Sequence, residues 1–454
     1  MRLMACSGII GYGFAEESFR RGLEAGVTMI GCDAGSMDPG PFYLGTGTPF
    51  VSEEATRRDL ELMLIGAIEF GIPMIIGSAG GGGSNDQVAW TTDIVEDLAR
   101  KHGMAFKLAI INAEPDKGYL KDKLALGKIA PLGPIDDLTV NDIDQAARIV
   151  AMMGVEPLQK ALEAEASVII AGRCSDAAIY AALPIMLGYN PGQAWHLGKI
   201  VECGAQVIEP REGQDCIIGT LRDGYFEVEP GHPGKNCTKT RVAAHTLYEN
   251  PLPDELKEPS GVLDSSRCSF QQIGPRTVRV SGSSFLPTES YTVKLEGVRK
   301  VGYRSIFIAG VRDPILIEKF DAFSEACRIR TRDQAGSLGI SDTAYTVNFR
   351  TYGRGAVMGD REFVIIDEGP TELCVIGEVI ADNEAISRAV LAKARYSLLH
   401  TDFEGRLCIS GNLAFPFSPS DISVGEVYDF SVWHTLELDD PLEPFQITYR
   451  DISG

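Results

Sequence analysis

A few side chains in this sequence are of types that move protons or hold anions, and their spacing limits what they can do together. Arg173 and Asp176 lie three residues apart in AGRCSDAA (171–178). An arginine there can grip a carboxylate or phosphate with paired N–H bonds, leaving Asp176 to act as a base or to orient a reacting group. Glu202 sits beside Cys203 in VECGA, and a carboxyl among apolar neighbours acquires a raised pKa suited to proton transfer. His245, in AAHTLYE, is of the one type whose ordinary pKa lies near neutrality; Tyr248 and Glu249 follow it by three and four residues, on the same face of a helix. Asp33 closes an apolar run and reads as a positioning carboxylate. The plainer readings are an Arg–Asp pair closing a turn, a core histidine bonded to Glu249 and an inert, buried Cys203.

Glycines supply a second kind of site. Met74 to Ile76 is apolar, Gly80, Gly81, Gly82 and Gly83 follow, and helical periodicity runs from Gln87 to Lys101. Converging backbone N–H groups at a helix N-terminus favour an anion, so Gly80, Gly81, Gly82, Gly83 and Ser84, with Asp86, are expected to bind substrate. The alternative is a βα turn that binds nothing. Gly11-Tyr-Gly13-Phe-Ala-Glu16, with Asp33 some twenty residues on, approaches a dinucleotide fingerprint. Its third glycine is missing and Glu16 would oppose a pyrophosphate, so NAD is disfavoured. Asp33, Asp38, Asp86, Asp176 and Glu202 leave an oxygen-rich Mg²⁺ site open, though no spacing demands one. No cofactor is favoured and no metal-ligand set is assigned.

These residues need elements to position them. Leu3–Ile10, Val27–Cys32, Met74–Ile76, Phe106–Asn112 and Ser167–Ala171 read as buried strands. Helices are expected over Ala15–Ala25, Glu53–Phe70, Val88–His102, Asp142–Met153, Pro157–Glu165 and Ala177–Leu187. The alternation predicts an α/β fold, a mostly parallel sheet flanked by helices. Ligands of such sheets bind outside the carboxyl ends of the strands, where the polar residues collect. A β-rich insertion is expected near 210–315, with a short helix at 240–250. In the last third, strands are expected at Tyr345–Arg350, Phe363–Asp367, Leu373–Ala381, Leu407–Ser410, Val427–Leu438 and Phe445–Tyr449, and a helix at Asn383–Leu399 capped by Asn383. The division expected is a core domain, 1–335, and a smaller C-terminal α+β domain, 336–454.

Composition sets outer limits. A formal charge of −21 over 454 residues excludes generic nucleic-acid binding, which depends on Lys and Arg neutralising phosphate. Ten scattered cysteines without a C-x-x-C pair read as reduced thiols, and no apolar run reaches membrane-spanning length. A cytoplasmic protein is expected, away from membranes.

The segments AGRCSDAA (171–178), HLGKIVECGA (196–205), RVAAHTLYE (241–249) and ISGNLAFPFSPSDI (409–422) resemble the acyclic terpene utilisation AtuA-like family, formerly a family of unknown function. The resemblance covers most of the chain. It implies a catabolic protein of acyl-CoA or branched and unsaturated carboxylic acid breakdown, and it transfers no mechanism. Taken with the residue types, it leads to an expected lyase, hydratase or isomerase acting on a small anionic substrate, a carboxylate or acyl thioester, with His245, Asp176 and Glu202 as acid/base groups. An amide or thioester hydrolase is the alternative, as is a noncatalytic subunit needing a companion protein. A homo-oligomer is expected.

Overall fold

Short apolar strands each followed by a helix dictate a sheet covered on both faces, and the fold follows that logic. A computed structural model describes residues 1–363 and 369–454. Five strands lie parallel in the order Arg2–Ala5, Ile30–Asp33, Met74–Gly77, Val168–Ala171 and Phe106–Asn112. Alternate residues point to opposite faces. Ile75, Ile169 and Ala171 pack under helices Asp176–Met186 and Pro191–Val201, whereas Met74, Ile76, Val168 and Ile170 pack under helices Glu16–Glu24, Glu53–Phe70 and Asn85–His102. The strands are buried on both faces, which explains their unbroken apolar runs.

The sheet is mixed rather than mostly parallel. It has ten strands, and antiparallel strands continue it on both sides. Gln446–Ile452 pairs with Phe106–Asn112 on one side. On the other, Ile217–Arg222, Tyr225–Pro230, Val278–Ser281 and Ser269–Gln272 extend it from Arg2–Ala5. Much of the expected β-rich insertion is therefore the continuation of the core sheet; Glu255–Glu258, Gly261–Asp264 and Ser284–Pro287 form a small sheet of their own, Asn236–Cys237 pairs with Ile208–Glu209, and Tyr291–Val311 lies in a further sheet.

Two compact units divide the chain at places other than 335/336. One comprises 1–299 with 430–454, the other 300–429. Residue 335 falls inside the helix Phe320–Ser337, and the chain crosses between units within the strands Tyr291–Val311 and Ile422–Leu438, so no linker composition marks the crossings. In the second unit, strands Tyr345–Tyr352 and Leu373–Ala381 pair antiparallel, and Tyr303–Val311 pairs with the latter. Helices Phe320–Ser337 and Glu384–His400 share its core with Phe307, Val375 and Val379. Asn383 caps the second helix through its side chain.

Two local expectations change. The helix expected over Asp142–Met153 is a short helix, Val140–Gln145, followed by the strand Ala146–Met152, which pairs with Lys294–Arg299. That apolar run takes extended form because a distant strand supplies its hydrogen bonds. Residues 407–410 form no strand. The strand expected at Phe363–Asp367 lies largely outside the described residues. No helix among the described residues is long and apolar enough to cross a membrane.

Candidate functional site

The carboxyl ends of the parallel strands open into a cavity of about 440 Å³ in the first unit. Asp33, the last residue of its strand, lines it, as do Arg173, Ser175 and Asp176 beyond the end of Val168–Ala171. Lys199 and Glu202, from the last turn and C-cap of Pro191–Val201, form a second wall. Glu258, Lys294 and Glu296 complete it from two antiparallel strands.

Buried charge dominates the walls. Arg173 Nε and Nη2 donate to the two oxygens of Glu296 at 2.6 and 3.5 Å, and Nη1 donates to Ser78 Oγ at 3.3 Å. Three of the five guanidinium N–H groups are thus engaged among the described residues, leaving two for a ligand. Burial works to raise the Glu296 carboxyl, but Arg173 and Lys294 outweigh it and hold it at about 2. Glu202 is likewise held at about 2: burial opposes, but His245 and Lys199 prevail, Lys199 Nζ lying 3.0 Å from Oε1. Glu202 is therefore anionic at neutral pH, contrary to the raised pKa expected from its apolar neighbours.

The raised carboxyls are others. Burial first, then the negative charge of Glu202, pushes Asp176 up to about 7. Burial raises Glu258 to about 8, although Ser175 Oγ donates to it at 2.7 Å. Asp33 is raised by burial and by Asp176, and its Oδ1 is buried without a hydrogen-bond partner among the described residues.

His245 ends the helix Lys239–Thr246 behind Glu202. Its ring stacks on Tyr248 with centroids 5.2 Å apart, and Nε2 faces Glu202 Oε1 at 3.6 Å rather than Glu249. Glu202, Cys203 and His245 bring one ligand atom each within 4.8 Å of one another, the one such His/Cys/Asp/Glu group among the described residues. The Cys203 thiol is pushed far up by burial and by Glu202, which disfavours it as a free nucleophile. His196 lies elsewhere, bonded to Ser283 and Thr246 and held neutral by burial.

The profile of one protein family, acyclic terpene utilisation family protein AtuA, matches residues 56–394. The chain belongs to the AtuA family. Arg173, Asp176, Glu202, His245 and Glu258 fall inside the AtuA match, and Asp33 precedes it. No significant match is found among curated proteins or among solved structures.

The glycine loop of this AtuA-family chain is not part of the cavity. Gly80 to Gly83 and Ser84 are buried, and Gly82 and Ser84 donate their N–H groups to Gln87 Oε1 at 3.0 and 3.1 Å. Gln87 in turn donates to the carbonyls of Tyr43 and Thr48. The expected anion site is thus filled from within. Gly83 has φ +71°, and a Cβ there would overlap the Arg173 backbone, so the loop acts as a close-packed support for the Arg173 turn. The first glycine pair behaves likewise: Gly11 and Gly13 donate to the buried Asp59 Oδ2 at 2.8 and 3.0 Å, occupying the amides a dinucleotide would need. Asp86 is exposed and paired with Arg148, away from the acids with which it was grouped for Mg²⁺.

Sequence reasoning missed Lys199, Glu258, Lys294 and Glu296. The Ser84-to-Gln87 capping-box spacing was the available sign that Gln87 turns back on the loop.

Proposed function

We propose that this cavity performs acid/base chemistry on a small carboxylate or its acyl thioester: proton abstraction next to a carbonyl, coupled to elimination, hydration or isomerisation. The observation that carries the reading is Asp176, on the cavity wall with its pKa near 7, where one carboxyl serves as base and, once protonated, as acid. The two unused N–H groups of Arg173 and the ammonium of Lys257, which has no ion pair among the described residues, suit a substrate carboxylate. Glu258, protonated at neutral pH, suits donation to a leaving hydroxyl or to an enolate oxygen. Glu202, held anionic, takes the supporting role of a charged wall, with His245 packed behind it. Cytoplasmic location, a homo-oligomer and a companion protein belong to the same proposal and rest on the composition and the family. A thioester or amide hydrolase working through Cys203 is less supported, because that thiol stays protonated.

The test is carbon-bound hydrogen exchange. The purified chain is incubated in deuterated water with short branched and unsaturated carboxylic acids and their CoA thioesters. Deuterium should enter next to the carbonyl of at least one of them, at a rate rising with pH through about 7. Asp176→Asn should lower that rate by roughly 10²–10⁴-fold. Exchange that ignores this substitution removes Asp176 from the chemistry.

A further inference from the structure

The geometry points to a transition-metal site at Glu202, Cys203 and His245, with its open coordination position facing the cavity. The three residues offer a carboxylate oxygen, a sulfur and an imidazole nitrogen, all within 4.8 Å of one another; binding displaces the Cys203 thiol proton to solvent, so the sulfur ligates as thiolate. A tetrahedral ion with bonds of about 2.0 to 2.3 Å needs ligand atoms about 3.3 to 3.8 Å apart, so small side-chain rotations close the trio. One sulfur and one nitrogen select zinc or cobalt over magnesium or calcium, which take oxygen alone.

An independent observation points at the ion itself. The His245 side chain is only 6% exposed, and its Nε2 has no hydrogen-bond partner among the described residues although it faces Glu202. A buried ring nitrogen that has only a 3.6 Å contact with a carboxylate and no hydrogen bond is under-satisfied, and a metal supplies what it lacks. Lys199 does not bar the site: it holds Glu202 through Oε1, and a ligating carboxylate is ordinarily hydrogen-bonded by an outer group. Three protein ligands with a fourth position open is the pattern of a catalytic rather than a structural zinc. Glu202 and Cys203 line the cavity, so that position opens where a substrate carbonyl would be polarised. His245 then becomes a ligand rather than an acid/base group. This inference rests on the ligand geometry and does not depend on Asp176.

Cobalt titration of the chelator-treated chain tests it. One equivalent should bind with a near-ultraviolet sulfur-to-cobalt charge-transfer band. Cys203→Ser should abolish the band while keeping the thermal melt, and His245→Ala should weaken binding at least tenfold. Asp176→Asn should bind cobalt like the parent chain, which separates this inference from the proposed reaction. Absence of the band, or a band that persists in Cys203→Ser, overturns the site, even where Asp176→Asn still abolishes exchange.

Discussion

The strands Met74–Gly77 and Val168–Ala171 lie side by side and end at one edge of the sheet, but their exits do opposite things. After Gly77 comes the glycine loop, in which the N–H groups of Gly82 and Ser84 point inward to Gln87. After Ala171 comes a turn with no unusual backbone signal, and it carries Arg173, Ser175 and Asp176 into the cavity. The two exits are laced together: Ser78 and Ala79 donate their N–H groups to the carbonyls of Gly172 and Ala171, and Ser78 Oγ accepts from Arg173 and Cys174. One exit supports and the other presents. Backbone donors that converge are not free donors until their acceptors have been counted.

The sharpest way to break this contrast is Arg173→Ala. It leaves the fully buried Glu296 with Lys294 as its one remaining cation, and should cost up to about 3–5 kcal/mol by denaturant unfolding as well as abolishing ligand binding. A loss below about 1 kcal/mol would mean that Arg173 is held only loosely for substrate. Gln87→Ala tests the supporting exit. The amides of Gly82 and Ser84 and the Thr48 carbonyl lose the Gln87 side chain, and the Tyr43 carbonyl keeps only Gly47, so stability should fall by about 1–3 kcal/mol. The KM of the folded fraction should stay unchanged, and a large KM effect would return the glycine loop to the binding site.

Asp176→Asn sharpens the presenting exit through pH. Its folded pKa of about 7 lies above the unfolded value near 3.9. The stability it contributes is therefore present below about pH 4 and lost as pH rises through 7. The asparagine variant should match the parent at pH 4 and exceed it by about 1 kcal/mol at pH 8, after allowance for solvent screening at this half-buried position. Equal stabilities at both pH values would show an ordinary carboxyl. The smallest effect is expected of Asp86→Ala, an exposed ion pair with Arg148: below about 0.5 kcal/mol, with no change in KM.

How much of this was legible follows from where each partner lies. The bounds of Phe106–Asn112, Glu53–Phe70 and Leu373–Ala381 could be read because apolar periodicity and local caps or breaks set them. The convergence of Asp33, Arg173 and Asp176 followed from the order of strand and helix alone. Glu258, Lys294 and Glu296 could not be placed that way, since they arrive on antiparallel strands far along the chain. The same distance hid the strand Ala146–Met152, whose partner is Lys294–Arg299. Glu202 was placed among apolar residues correctly, but its pKa is set by Lys199 and His245, and the His245 contact depends on packing between helices.

Asp59 carries one more consequence. Its carboxylate already sits on the amides of Gly11 and Gly13, bound through the chain itself. A tethered group of this kind has an effective concentration on the order of millimolar even on a floppy tether. An anion free in solution must outcompete a resident that never diffuses away, so this loop would accept a visitor only after Asp59 had been removed.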